Sequence, residues 1–397
     1  MRTIYVDNNA TTAIAPEVLE VMQPYFTSEY FNPSSMYTAA QSTAAAIRQA
    51  RETIANCLNA GAPEQLLFTG SATESNNSAL FGTVQANSQR HHVITTAVEH
   101  PSVLEVCKEL QRRGLEVDFL PVNRQGELEM RDYVKALRRD TLLVTIMLAN
   151  NETGVCYPVA ELVRIAKETD PQIIFHTDAT QAIGKLPVDL QGDLRHVDLL
   201  SFSGHKLHAP KGVGALFVRR GTRWQPFILG GHQERGLRAG TENVPYIVGL
   251  AKACELAVAG VDEEQTRVRQ LRDRLQSALY ECIPALEVNG SEAQRLPNTL
   301  NLAIHGIEGE AILFELSRYG ICASSGSACT SGSLDPSHVL KAMAVPFTAI
   351  HGSLRISLSR YNDEQDVKRI IEVLPEIVAN LRKLSPYWDD QRNCLKV

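Results

Sequence analysis

The sequence predicts an α/β protein built on a seven-stranded, mainly parallel sheet with helices on both faces, followed by a small α+β domain. Three observations carry that expectation. Short apolar runs alternate with segments long enough to be crossover helices, the pattern that covers both sides of a parallel sheet. Polar residues recur at the carboxyl ends of successive runs, where open α/β sheets hold their ligands. Near Val261 the alternation gives way to a long charged helix, then to helices and short strands in mixed order.

Composition sets the outer bounds. A chain of 397 residues, 44% hydrophobic, can furnish cores for two domains. Its formal charge of −6 is spread without acidic or basic blocks, which argues against nucleic acid or a membrane surface as the main partner. The opening Met1-Arg2-Thr3-Ile4-Tyr5-Val6-Asp7 lacks the apolar core of a signal peptide, and no apolar run approaches the ~18 residues of a membrane span. Eight cysteines lie scattered, with no CxxC and no spacing that suggests a zinc cage or a disulfide framework. A cytoplasmic, reducing location is the expectation, with no intrinsic metal site.

Taken in order, Ile4-Tyr5-Val6 leads into the polar turn Asp7-Asn8-Asn9-Ala10-Thr11-Thr12. A helix is predicted from Pro16, a favourable first-turn residue, to about Phe26. Asn32-Pro33-Ser34-Ser35 reads as a loop, and residues 38–58 as an alanine-rich helix. The sheet strands are predicted at 66–69, 93–96, 116–120, 142–148, 173–177, 199–202 and 215–218, with helices such as 101–113 and 159–169 between them. Beyond the charged helix at 262–281, residues 298–302 and 352–358 read as strands. Asn362 or Asp363 caps a closing helix that has to accommodate Pro375.

The strand ends carry the chemistry. Gly70-Ser71-Ala72-Thr73-Glu74-Ser75-Asn76 turns from the first sheet strand into a helix. Ser71 and Glu74 fit an S-x-x-E capping box, and a capped start still presents backbone N–H groups to an anion such as a phosphate. Glu99-His100-Pro101 follows the second strand and Asn150-Asn151-Glu152 the fourth; alone, each reads as polar loop. The fifth strand ends in Asp178, with Gln181 three residues on. The sixth stops at Ser203-Gly204, and His205 and Lys206 follow at once. By itself Lys206 reads as a solvated loop lysine. Yet a lysine becomes a nucleophile when desolvated or set beside another cation, and a strand end next to a histidine offers both. A lysine and an acid at separate strand ends form the pairing that pyridoxal phosphate requires, the acid holding the pyridine nitrogen protonated and the lysine binding the aldehyde.

Farther along, the stretch from Gly230 to Asn243 is glycine-rich and basic, a loop with anion-binding capacity. Residues 323–336 are rich in serine and glycine, which predicts an exposed, mobile loop around Cys329. Cys329 lies among Ser327, Ala328, Thr330 and Ser331, as an accessible reactive thiol would. Cys322, at the end of Tyr319-Gly320-Ile321, is expected to be half-buried and structural. Arg355 sits on an alternating strand and alone reads as a surface arginine.

With these residues in view, the sequence resembles the NifS/IscS-type cysteine desulfurases, within the aminotransferase-like pyridoxal phosphate enzymes (fold type I). The resemblance runs from Tyr5-Val6-Asp7-Asn8-Asn9-Ala10-Thr11-Thr12 to about Tyr361. Its most specific piece is Ser324-Ser325-Gly326-Ser327-Ala328-Cys329-Thr330-Ser331-Gly332. Ser333-Leu334-Asp335-Pro336-Ser337-His338-Val339-Leu340 and Val345-Pro346-Phe347-Thr348 look more like the NifS branch than the IscS branch. One departure is Phe31, where the family usually has a glycine before Asn32.

The resemblance implies a domain plan: residues 1–15 join the small domain, 16–260 form the large pyridoxal phosphate domain, and 261–397 form the small domain with the cysteine loop. It implies Lys206, Cys329 and His100 as catalytic, with His100 stacked on the pyridine ring. Ala72, Thr73, Asn151, Asp178, Gln181, Ser203, His205 and Lys206 would hold the cofactor, Thr241 reaching the phosphate of the neighbouring subunit in a homodimer. Asn32, Asn151 and Arg355 would bind the substrate, L-cysteine, with Arg355 as a bidentate clamp on its carboxylate. Sulfur would pass as a persulfide on Cys329, which would contact an iron–sulfur cluster during transfer, to a NifU/IscU-like iron–sulfur scaffold protein for cluster assembly, in the setting of nitrogen fixation. The alternatives are a housekeeping IscS-like sulfur donor for tRNA thiolation and general cluster assembly, a selenocysteine lyase, an ordinary aminotransferase or β-lyase, and a non-catalytic sulfur carrier.

Overall fold

The computed structural model describes residues 2–325, 336–389, 391–392 and 394–396. Twelve strands matter for the site: β1 (Ile4–Tyr5), β2 (Leu66–Thr69), β3 (His92–Thr96), β4 (Glu116–Leu120), β5 (Thr141–Thr145), β6 (Ile174–Asp178), β7 (Leu199–Ser203), β8 (Gly214–Val218), β9 (Leu286–Val288), β10 (Thr299–Ile304), β11 (Ile321–Cys322) and β12 (Ser353–Ser357). Seven of them form the main sheet in the order β2-β8-β7-β6-β5-β3-β4. β8 runs antiparallel to both its neighbours, and the other pairings are parallel.

Every residue of β2, β3, β5, β6 and β7 is buried, as expected of strands covered on both faces. The period-2 pleat sorts their side chains into two cores. Ile94, Val144, Phe175, Leu200 and Phe217 face a core that includes Ile54 and Leu250, from helices Ala40–Cys57 and Val244–Ala259. Their neighbours Val93, Leu143, Ile174, Leu199 and Leu216 face the other side, against Leu80, Val103 and Leu110 of helices Ala72–Ala86 and Pro101–Arg112.

A third core joins Ile4 and Val6 to Leu275, Leu279, Leu302, Leu354, Ile356 and Ile370. Here β9, β10 and β12 make a small antiparallel sheet, while β1 pairs in parallel with β11 across more than 300 residues of chain. The closing helix Glu364–Lys383 accommodates Pro375 and starts with a complete capping box: Asp363 accepts from Asp366 N, and the Asp366 side chain accepts from Asp363 N. Among the described residues, no single helix is long and apolar enough to cross a membrane.

Three predicted elements differ. The helix expected at 16–26 is two, Pro16–Met22 and Pro24–Thr27, because proline lacks an N–H for the intervening turn. The strand expected at 142–148 ends at Thr145: Met147 N is taken by the Glu99 carboxylate (3.0 and 3.1 Å), so the chain leaves the ladder on its β3 side while Ile146 N and Leu148 N still bond to β6. The charged helix contains a π-helical stretch, Glu264–Val268, before Arg269–Cys282. Helices Met130–Ala136, Val244–Ala259 and Gly309–Arg318 add to those the sequence marked.

Asp363→Ala removes the N-cap acceptor and should cost about 1 kcal/mol of stability. Urea or thermal unfolding checks it; an unchanged midpoint would show that the box does not hold the closing helix.

Candidate active site

Strand ends, a helix start and the amino-terminal segment enclose a cavity of about 550 Å³. Its anion end begins where β2 runs into helix Ala72–Ala86. Ser71 is the N-cap, its Oγ accepting from Glu74 N (3.2 Å), while the Glu74 carboxylate accepts from Gly70 N (2.7 Å) and pairs with Arg238 (2.8 Å). Ser71, Ala72 and Thr73 line the cavity, so the first-turn N–H groups lie at its wall. Gly214 makes this approach possible. It is paired with Thr69 on one side and Ser203 on the other, and a Cβ there would lie 2.8 Å from Ser71 C and 3.1 Å from Ala72 N.

Lys206 follows the end of β7, in the short turn Gly204–Lys206. Its Nζ donates to the carbonyls of Asn9 (2.7 Å) and Ala10 (2.6 Å). Thr12 bonds the His205 carbonyl through both N (3.0 Å) and Oγ1 (3.1 Å), and His205 Nδ1 lies 3.1 Å from Thr11 Oγ1. Burial, with Lys206, Lys211 and His100 adding to it, pushes His205 down to about 4, so its ring is neutral at pH 7. Asp178 ends β6, buried, with Oδ2 accepting from Asn76 Nδ2 (2.7 Å) and Oδ1 from Thr180 N (2.9 Å).

His100 caps helix Pro101–Arg112, its Nδ1 accepting from Ser102 N (3.1 Å) with Ser102 Oγ 2.8 Å away. Burial holds this histidine below its ordinary value; Lys206 and His338 push the same way and Asp178 opposes them. Arg355, on β12, is 1% exposed. It bonds Asp7 Oδ1 (2.7 Å) and the Asn151 carbonyl (3.1 Å), which places a guanidinium at the wall opposite the sheet. Beside it Glu152, pushed up to about 7 by burial against the opposing effects of Ser337 and Arg355, accepts from Ser337 Oγ.

Of the residues the sequence singled out, Ala72, Thr73, His100, Asn151, Asp178, Gln181, Ser203, His205, Lys206 and Arg355 all line this one cavity. Asn32 and Thr241 do not; both are exposed on loops of the single chain. Cys329 lies outside the described residues. Cys322 corrects an expectation: it is exposed rather than half-buried, because β11 is a two-residue strand with only β1 beside it. Sequence reasoning missed Asn76, Ser102 and Ser337. Glu152 it noted only as loop. The capping pattern Ser-x-x-Glu pointed to the right helix, but nothing in it distinguished Asn76.

The cavity suits pyridoxal phosphate. Gln181 Oε1 and Thr180 Oγ1 are buried at its wall without a hydrogen-bond partner among the described residues, although Gln181 Nε2 is bonded to the Asn9 carbonyl. A helix start, an amine and a carboxylate stand around the same space. A parallel-rich α/β sheet with this set at its strand ends defines an aminotransferase-like enzyme.

Comparison with known proteins narrows the class. The class-V aminotransferase family profile matches residues 4–370. A cysteine desulfurase of Trichormus azollae is 52% identical over 396 residues, covering 100% of this chain and 98% of the relative. Cysteine desulfurase NifS of Azotobacter vinelandii is 48% identical over 388 residues, 98% of this chain and 96% of the other. A solved NifS-like protein superposes with a TM-score of 0.90 at 38% identity, covering 96% of this chain and all of that one. The chain belongs to the class-V aminotransferase family, whose cofactor is pyridoxal 5′-phosphate.

Gly214→Ala drives a Cβ into the backbone of the helix start and should weaken pyridoxal phosphate binding by about tenfold or more, a loss of ~1.4 kcal/mol. Equilibrium titration of the stripped protein with cofactor measures it; unchanged affinity would show that the helix start is not the phosphate cradle.

Proposed function

We propose that the protein is a cysteine desulfurase, which takes sulfur from L-cysteine as a persulfide on Cys329 and releases L-alanine. One observation carries most of the reading beyond the family relationship. The segment that bears Cys329 is tied at both ends to the walls of the lysine–aspartate cavity. On one side Ser324 exchanges backbone hydrogen bonds with Arg355 (3.2 and 2.6 Å), and Ser325 O accepts from Ser353 Oγ (2.7 Å). On the other, Pro336 and Ser337 line the cavity, Ser337 on Glu152. Three residues lie between Cys329 and Ser325, and the four Cα–Cα steps span at most about 14 Å.

Bound pyridoxal phosphate supplies an electron sink for the pair released at the substrate's α-carbon. Ala72 and Thr73 offer N–H groups to its phosphate and Asp178 offers a carboxylate to its ring nitrogen. Arg355, already paired with Asp7, binds the substrate carboxylate beside Asn151. Lys206 would hold the cofactor through its amine, and that amine, once free, would take the α-proton. The Cys329 thiolate attacks the substrate sulfur: an S–S bond forms, the C–S bond breaks, and its electron pair stays on the carbon skeleton. Protonation of that carbon and return of the α-proton from Lys206 give alanine, and the sulfur leaves on Cys329.

The NifS-like sequence features favour an iron–sulfur scaffold protein as acceptor and nitrogenase metallocluster maturation as the setting. The same reading has the enzyme cytoplasmic and homodimeric, with the exposed Thr241 loop serving the partner's phosphate site. An aminotransferase or β-lyase would use Lys206 and Asp178 but has no need of a cysteine in the segment whose described ends flank the cavity.

Lys206→Ala should abolish alanine formation; retained turnover would sink the assignment of the lysine. Cys329→Ala should still bind cofactor and shift its absorbance with L-cysteine, yet form neither alanine nor persulfide. Cys322→Ala, at an exposed position, should change stability by no more than about 0.5 kcal/mol and keep its activity. Peptide mapping of the persulfide decides between the two thiols, and a persulfide on Cys322 would refute the choice of nucleophile.

A further inference from the structure

Beneath the cavity one carboxamide ties together residues from two different strand ends. Asn76, fully buried on the second turn of helix Ala72–Ala86, donates to Asp178 Oδ2 (2.7 Å) and to Ser102 Oγ (2.8 Å). Charge fixes the amide's orientation: turned over, its oxygen would face a carboxylate oxygen. Asn76 Oδ1 has no partner among the described residues, a cost of burial that a merely space-filling side chain would avoid. Having accepted from Asn76, the Ser102 hydroxyl keeps its own hydrogen, and His100 Nδ1 is 2.8 Å away. The Ser102 backbone N–H reaches the same ring nitrogen (3.1 Å). Two donors on Nδ1 leave that nitrogen without a hydrogen, so the neutral ring carries its proton on Nε2.

We propose that Asn76 and Ser102 are positioning residues, whose hydrogen-bond chain from Asp178 to His100 locks His100 in its Nε2–H tautomer. Helix capping alone explains the Ser102 N–H contact, but not the hydroxyl, nor an amide that serves Asp178 and Ser102 together. Each hydrogen in the chain is directed from one end. The Asp178 carboxylate accepts at both oxygens, which sets the Asn76 amide; the amide sets the Ser102 hydroxyl, and the hydroxyl sets the ring. His100 therefore stands in the cavity as a hydrogen donor, and Lys206 remains the base. This division of labour rests on the roles proposed above for Asp178, His100 and Lys206. The charged and titratable groups facing the ring are Asp178, Lys206, His338 and His205, and none of them is altered in the variants below.

The test is selective ¹⁵N-histidine NMR on the full-length protein as isolated, with His100 assigned through His100→Gln. Wild type should show His100 protonated at Nε2 and hydrogen-bonded at Nδ1. Donors to Nδ1 oppose protonation there, so Ser102→Ala and Asn76→Ala should each mix the tautomers and raise the midpoint by about half a pH unit or more, roughly threefold in proton affinity. Ser102→Thr, which keeps the hydroxyl, should preserve both. If Asn76→Ala fails to fold, Ser102→Ala, which removes one oxygen, decides alone. A wild-type tautomer and midpoint in Ser102→Ala overturn the proposal. Cofactor binding and alanine formation by the wild type are measured separately, so failure of the desulfurase reading leaves the NMR result standing, and the converse holds.

Discussion

The site depends on the pair of backbone carbonyls, Asn9 O and Ala10 O, that receive the Lys206 ammonium. A lysine at a covered strand end gives up water, and its charge is tolerable there only with acceptors in place. Those acceptors do not come from the sheet. They come from the first residues of the chain, whose Ile4 and Val6 are packed into a separate core with β10 and β12. Holding Lys206 thus requires the amino-terminal segment to cross from one core to the other. The same crossing delivers Asp7 to Arg355 (2.7 Å) and Asn9 to Gln181, Thr299 and Asn298. Lys206, Gln181 and Arg355 are therefore registered against one another by a stretch of five residues, Asp7 to Thr11.

What the sequence revealed and what it hid follow from the same geometry. Strands buried on both faces are continuous apolar runs, so six of the seven sheet strands read to within a residue or two, and the fold class came with them. Strand-end residues were legible because a parallel sheet brings one end of every strand to one side, whatever the intervening helices do. Contacts fixed by tertiary placement were not. The pairing of β1 with β11 joins Ile4 to Ile321, and no local pattern announces it. Asn76 looks like one polar residue among several in Glu74-Ser75-Asn76-Asn77. Only the approach of β6 and of helix Pro101–Arg112 makes it a junction between Asp178 and Ser102. Cys322 shows the opposite error. An apolar neighbour, Ile321, suggested burial, but alternate residues of a strand face opposite ways, and Ile321 took the inward face.

Two buried acids, Glu99 and Glu152, fix the chain around the cavity. Desolvation pushes Glu99 up to about 8, with Asp178 adding to it, so its carboxyl is largely protonated at neutral pH. It binds Thr96 Oγ1 (2.9 Å) and Met147 N, stapling the end of β3 to the turn after β5. The next residue is His100, and the Glu99 carbonyl accepts from His338 Nε2 (2.9 Å). Glu152 does the equivalent on the far wall: its side chain holds Ser337, and its carbonyl holds Asn301 of β10. Each acid sits one residue away from a residue proposed to meet the ligand, His100 in one case and Asn151 in the other. A fully ionised side chain at either place would compete electrostatically with Asp178 for the site's cations. Held largely neutral, Glu99 supplies hydrogen bonds with little field, which leaves Asp178 the dominant anion beneath the cavity and Arg355, Lys206 and the helix start to face the negative groups of cofactor and substrate.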